Sequence, residues 1–195
     1  VLSPGCRFEG YLVDGTLGRG GFAVVYRAHS AAGAVALKVL DGNHRQPTHL
    51  ARLQREFAFA HRLDHPHVIT MYDDGPYWLA MELVDGGTVS TLRAIADRLT
   101  ALAQIADALD YTHRRGIVHC DVKPSNILVF QDFSQRGTVL IDFGVAHAVV
   151  EDVGRHPPHV EASLPYSAPE LFYGRTPSAA TDEYALACTT VEMIT

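Results

Sequence analysis

Short apolar runs broken by glycine dominate the first 40 residues. They predict a strand over residues 8–13, a glycine-rich hairpin over 17–26 and, after Gly33, a strand over 35–40 that is apolar on both sides of Lys38. The period then changes. From about residue 48 to residue 63 the spacing is helical, with Leu50, Leu53, Phe57 and Ala60 in one stripe and Glu56 near its edge. His65, Pro66 and His67 end that helix, and strands are predicted over 68–72 and 77–83, joined at Gly75 and Pro76. Residues 88–115 read as helical, with Leu99, Leu102, Ile105, Ala106 and Leu109 on one face and Gly116 as the stop. Two short apolar strands follow, over 127–130 and 139–141, and residues 145–162 show little periodicity. The last segment is an apolar helix for which Thr181 is the expected cap. Internal repeats and low-complexity tracts are absent.

Composition narrows the class without naming it. With 195 residues, 47% of them apolar, the chain suits one large domain or two small lobes of an ordinary globular protein. A net charge of −6 argues against nucleic acid as the main partner, and no apolar stretch is long enough to cross a bilayer. The first residue is Val and no signal-peptide pattern follows, so the sequence reads as a piece of something longer, which could carry a membrane anchor elsewhere. Three widely separated cysteines give neither a disulfide framework nor a zinc site, which points to the reducing cytoplasm. Among the 11 histidines, His61, His65 and His67 lie close together, but no cysteine or carboxylate completes a ligand set.

Chemistry concentrates in residues 119–128. Asp121, Lys123 and Asn126 put an acid, a base and an amide within six residues, spaced too irregularly for a helix face or a strand face. Pro124 disfavours a helix there, leaving a polar loop ahead of a buried strand. A second anchor is the strand that ends on Asp142, Phe143 and Gly144. Two carboxylates and an amide, each beside a strand, suit a divalent cation held on hard oxygen ligands. The pattern H-x-D-x-K-x-x-N followed by D-F-G resembles the protein kinases. Gly18, Gly20, Ala23 and Val25 resemble the kinase loop G-x-G-x-x-G-x-V, with alanine at the third glycine; it is not a Walker A loop. Ala168-Pro169-Glu170 resembles the end of the activation segment.

The resemblance implies an α+β, two-lobed protein-kinase-like fold. Its small antiparallel β lobe would occupy residues 1–83, and a mostly helical lobe residues 84–195, with the C-terminal helices missing and a shortened helix after the hinge. It implies an ATP-dependent serine/threonine protein kinase, similar to the bacterial class, that uses Mg²⁺ or Mn²⁺ and acts on protein substrates. Asp121 would orient the acceptor hydroxyl and take its proton, Lys123 would hold the γ-phosphate, and Lys38, paired with Glu56, the other phosphates. Asn126 and Asp142 would hold the metal. Leu17, Gly18, Gly20, Val25, Ala36, Met81, Glu82, Val84 and Leu128 would surround the nucleotide, Met81 as gatekeeper. Asp182 would prop the catalytic loop.

Two departures from the family pattern bear on function. Cys120 stands where an arginine usually precedes the catalytic aspartate, and no Ser, Thr or Tyr occurs between Gly144 and Ala162. Receiver and phosphate are missing together, so activity independent of phosphorylation in that stretch is expected. Ser163 takes the place of a substrate-positioning threonine. The helices that supply an arginine to Glu170 lie beyond the sequence, so Glu170 is expected to lack a partner. The alternative function is a pseudokinase or nucleotide-binding signalling scaffold.

Overall fold

The structure is a computed structural model that describes residues 1–148 and 164–195. The chain forms two compact units, Val1–Arg62 with Thr70–Leu83, and Leu63–Ile69 with Val84–Thr195.

The first unit is a six-stranded antiparallel sheet with one helix. β1 (Arg7–Phe8), β2 (Tyr11–Arg19), β3 (Ala23–Ser30), β4 (Gly33–Leu40), α1 (Pro47–Ala60), β5 (Met71–Gly75) and β6 (Trp78–Glu82) follow in sequence, and the strand order is β1-β2-β3-β4-β6-β5. The single strand expected over 8–13 is two. Glu9 and Gly10 adopt positive φ (48° and 89°) and fold β1 back onto β2. Because side chains alternate across a strand, the sheet has two distinct faces. Tyr11, Val13, Val24, Tyr26, Val35, Leu37, Val39, Trp78 and Ala80 pack into one apolar cluster. The opposite face carries Val25, Ala36, Lys38, Leu79 and Met81, with Val25 and Leu79 flanking Lys38 in register and Met81 beside Ala36.

Helix α1 is shorter and turned relative to the expected stripe. It stops at Ala60, its buried residues are Leu53, Glu56, Phe59 and Ala60, and Phe57 is only half-buried. The rotation brings Glu56 inward, where Lys38 meets it. The strand expected over 68–72 is also displaced: Ile69 N–H donates to Leu140 O (3.0 Å) and Leu140 N–H to His67 O (2.9 Å) inside the second unit, and the sheet strand begins at Met71.

In the second unit, a single 3₁₀ turn (Val89–Thr91) stands where the shortened helix was expected, before α2 (Ile95–His113). The buried face of α2 is Ala101, Leu102, Ile105, Ala108 and Leu109; Leu99 is 52% exposed and Ala106 is also exposed, against expectation. The expected stripe was chosen by apolarity alone, and the true one also uses Thr112, whose hydroxyl donates to Leu109 O. β7 (Ile117–Val118), β8 (Ile127–Val129), α3 (Phe133–Arg136), β9 (Thr138–Leu140), β10 (His147–Ala148), α4 (Pro169–Phe172) and α5 (Ala179–Ile194) complete the unit. β8 and β9 form an antiparallel hairpin, and β7 pairs with β10. Among the described residues no helix is long and apolar enough to cross a membrane.

Gly86 shows how tightly the start of this unit is seated. Its N–H donates to Val129 O (2.9 Å), and a Cβ there would lie 2.5 Å from that oxygen and 2.7 Å from the Phe130 carbonyl carbon. Both atoms are backbone and cannot swing away. Gly86→Ala should therefore destabilise the protein by about 1–3 kcal/mol, read as a lowered midpoint in denaturant; an unchanged midpoint would show that the 86–129 pairing yields freely.

Candidate active site

Two groups of side chains come together, one in each unit. In the first, Lys38 Nζ donates to both Glu56 oxygens, at 2.8 and 2.6 Å. The carboxylate is 3% exposed and the ammonium side chain 19%. An apolar strand tolerates a lysine, and a helix interior a glutamate, when each neutralises the other. The sheet register puts Val25, Ala36 and Met81 on the Lys38 face, and Gly18 opposite Val25. Leu17 is exposed at the end of β2, and Gly20 N–H donates to Ala23 O (2.8 Å) at the hairpin tip. Glu82 closes β6, its N–H given to Thr70 O (2.9 Å).

The second group is built on the loop between β7 and β8. Lys123 Nζ donates to both oxygens of Asp121 (3.0 and 2.9 Å). Asn126 Nδ2 donates to the Asp121 carbonyl (2.8 Å) and to its Oδ2 (3.0 Å). A 3₁₀ turn (Pro124–Asn126), opened by the fixed φ of Pro124, makes this clustering possible where neither helix nor strand spacing would. Ile141 N–H donates to Asn126 O (3.0 Å), so Asp142 follows directly on a residue tied to Asn126. Val84 is buried, and Leu128 is half-buried in β8 two residues beyond Asn126.

Strained backbone marks the same places. Of the three described non-glycine residues with positive φ, Cys120 (67°) precedes Asp121 and Asp142 (68°) is itself in the site. Such conformations persist only when surroundings hold them. At Cys120 the holder is Asp182, 0% exposed, which accepts from Cys120 N–H (2.8 Å), His119 N–H (2.7 Å) and His113 Nε2 (2.8 Å). His119 ties the loop to the other anchor. Its Nδ1 accepts from Asp121 N–H (3.2 Å), its Nε2 donates to Ile141 O (2.9 Å), and its ring stands edge-on to Phe143, 4.7 Å between centroids. That pattern assigns the Nε2–H tautomer.

The sequence reading did not single out His113 or His119 as working residues. His119 was legible as part of the motif, but only its two-sided bonding shows that it links Asp121 to the segment carrying Asp142. Nothing in the spacing of His113 marked it. His65 and His67, weighed as metal ligands, are engaged locally. His65 Nε2 lies 3.2 Å from Asp107, and His67 Nδ1 bonds Thr138 O at 2.9 Å.

Two expectations near the end of the chain are corrected. Helix α5 is capped by Ser178, not Thr181; Thr181 sits at the third helical position and its Oγ1 accepts the Ser178 N–H (3.0 Å) in a capping box. The same hydroxyl donates to Glu170 Oε1 (2.7 Å), so Glu170 has a partner within the chain. Nearby, the Tyr166 hydroxyl donates to Glu192, which with partial burial pushes its pKa up to about 12. Residues 149–163, including Ser163 and most of the stretch without phosphorylatable hydroxyls, lie outside the described residues.

As a donor set, one carboxylate (Asp142) and one amide oxygen (Asn126) fit a small hard cation. Such an ion takes few protein ligands and fills its shell with water and phosphate oxygens. Comparison with known proteins decides the class: residues 11–195 match the family described as protein kinase domain. This chain belongs to the protein kinase family. Relatives include the serine/threonine-protein kinases PknJ and PknF of Mycobacterium tuberculosis, 35% and 36% identical over alignments that cover 100% of this chain. The chain spans only 35% and 44% of those proteins. Among solved structures, the M. tuberculosis PknI kinase domain superposes with a TM-score of 0.75 at 33% identity, covering 99% of this chain and 75% of that one. A double mutant of the same domain gives 0.78 at 32% identity. The protein kinase fold expected from the motifs is therefore the fold of this chain, and the family uses ATP with a divalent metal.

Proposed function

We infer that this chain is the catalytic part of a serine/threonine protein kinase that transfers the γ-phosphate of ATP to hydroxyls of protein substrates. The observation that carries this reading is the Asp121–Lys123–Asn126 cluster. It holds one carboxylate rigidly, flanked by a cation and an amide, at the loop position where the family does its chemistry. Asp121, fixed by its neighbours, would orient the acceptor hydroxyl and take its proton, worth roughly 10²–10⁴-fold. Lys123, held beside that carboxylate, would hold the γ-phosphate. Lys38, aimed by Glu56, would hold the other phosphates. Asn126 and Asp142 would hold Mg²⁺, which when bound neutralises phosphate charge.

The labour divides near residue 83. Leu17, Gly18, Gly20, Val25, Ala36, Met81 and Glu82 are assigned to the nucleotide from residues 1–83, and Val84 and Leu128 from residues 84–195. Lys123-Pro124 favours Ser/Thr over Tyr acceptors. Cys120, in place of arginine, supports a kinase that needs no activation-loop phosphate. Three free cysteines, Cys120 among the buried residues, suit a cytoplasmic working environment. A nucleotide-binding scaffold without phosphotransfer is the second reading, favoured by Ala23 at the third glycine of the phosphate loop.

Transfer of labelled γ-phosphate from ATP·Mg²⁺ to a generic basic protein tests the choice. The chain should label it, Asp142→Asn should not, and mass spectrometry should find no activating phosphate on Ser163. Nucleotide that raises the melting temperature without any transfer would decide for the scaffold. A stoichiometric activating phosphate on Ser163 would refute the phosphorylation-independent reading.

A further inference from the structure

Phe22, at the tip of the β2–β3 hairpin, belongs to no part of the sheet's apolar cluster. Its ring lies 4.3 Å from that of His49 with the planes tilted 30°, and edge-on to His44 at 5.4 Å; the two imidazoles are 5.7 Å apart, again edge to face. His49 sits in the first turn of α1, and His44 closes the 3₁₀ turn (Gly42–His44) just before it. The backbone reinforces the contact. Asp41 N–H donates to Phe22 O (3.0 Å), His44 N–H to Asp41 O (2.8 Å), and the Asp41 carboxylate lies 3.8 Å from Arg19.

We propose that the Phe22–His44–His49 cluster is a latch that couples the tip of the glycine-rich hairpin to α1, making Phe22 and His49 positioning residues for the nucleotide. The inference rests on the kinase reading in that the hairpin is taken as the nucleotide's cover. A tip that reads Gly-Gly-Phe has wide backbone freedom, and anchoring its one side chain removes most of it. Because α1 also carries Glu56, the anchor sets the cover and the Lys38–Glu56 pair together. The latch is also built to open. Nδ1 of His44 and Nδ1 of His49 are both buried without a hydrogen-bond partner among the described residues, a cost that is relieved when the cluster parts and water reaches them.

Backbone amide exchange in the nucleotide-free protein reads the latch without any need for catalysis. Phe22→Ala should speed exchange at residues 19–23 and in the first turn of α1 by about 3- to 10-fold, the range expected for lost aromatic pairs. His49→Ala should do the same at the hairpin tip, far away in sequence, whereas His49→Phe, aromatic and without the orphaned nitrogen, should keep the tip as slow as wild type or slower. In steady-state kinetics Phe22→Ala should raise the KM for ATP about 3- to 10-fold while kcat changes less than about 2-fold. If His49→Ala loosens α1 but leaves residues 19–23 unchanged, the coupling is overturned; the same follows if His49→Phe fails to restore the tip. If the tip loosens while the KM for ATP stays constant, the positioning role is overturned. Should the wild type bind no nucleotide at all, it is the kinase reading that fails, and the exchange data still decide the latch.

Discussion

Asp182→Ala should lower the thermal midpoint by roughly 10 °C and remove phosphotransfer, although Asp182 is not among the residues assigned to nucleotide or acceptor. One fully buried carboxylate receives His113, His119 N–H and Cys120 N–H. Removing it leaves two buried backbone N–H groups and the partly exposed His113 without their acceptor. The expected cost is about 3–5 kcal/mol, less than the sum of three separate penalties because the loop can relax. For a chain of this size each kcal/mol is worth about 2–4 °C. Relaxation is also what ends activity, since that carboxylate accepts the N–H of Cys120, which holds a left-handed conformation, and Asp121 comes next. Asp182→Asn should fall between. One amide oxygen can replace either Oδ1 or Oδ2, but the amide nitrogen then faces a donor. Calorimetry of the three proteins checks the series, and a midpoint for Asp182→Ala within about 2 °C of wild type would show that the network is dispensable.

Lys38→Met separates two roles that sequence motifs merge. The single substitution leaves the Glu56 carboxylate, 3% exposed, without the cation 2.6 Å away. It should cost about 3–5 kcal/mol of stability in the first unit. The double substitution Lys38→Met with Glu56→Leu removes both charges and should return stability to within about 1 kcal/mol of wild type, because paired apolar replacements of a buried ion pair are close to neutral. Activity should not return. Both variants should transfer phosphate about 10²–10³-fold more slowly, since a preplaced cation opposite phosphate charge is lost in each. Denaturant midpoints measured beside initial rates make the comparison. Activity recovering along with stability in the double variant would mean that Lys38 serves only the fold.

The fold class and the grouping of several candidate site residues were legible in the sequence. Asp121, Lys123, Asn126 and Asp142 stand in short fixed patterns, and the turn that Pro124 announces brings the first three together, with Asp142 following Ile141, whose N–H donates to Asn126 O. Lys38 and Glu56 were legible as a pair because each is out of place in an apolar setting unless the other is near. Burial stripes were harder. In α1 the expected face ran through Leu50, Leu53, Phe57 and Ala60, but Glu56 is buried against Lys38 and Phe59 takes the place of Phe57 in the core. In α2 Leu99 counted as core on hydrophobicity alone, whereas what faces the core is decided by the elements opposite. The break at Glu9 and Gly10 depends on positive φ at a glutamate, which residue type does not predict. Glu170 was expected to await an arginine, and Thr181 meets it instead through a hydroxyl whose role as a cap was already in view. Hydrogen bonds between residues far apart, such as His113 to Asp182, leave no trace in local spacing.

The tie between Cys120 and Asp182 also sets an order of events during synthesis, because the two residues are 62 positions apart. A ribosome adding about 5–20 residues per second needs roughly 3–12 s to cover that stretch. For most of that interval the nascent chain already holds every residue of the sheet, of α1 and of the 121–126 loop. It still lacks the carboxylate that accepts the Cys120 N–H. Asp121, the proposed base, is thus made early and set late, and a chain released before α5 emerges would carry the motifs of residues 18–170 with the loop after Cys120 not yet tied to Asp182.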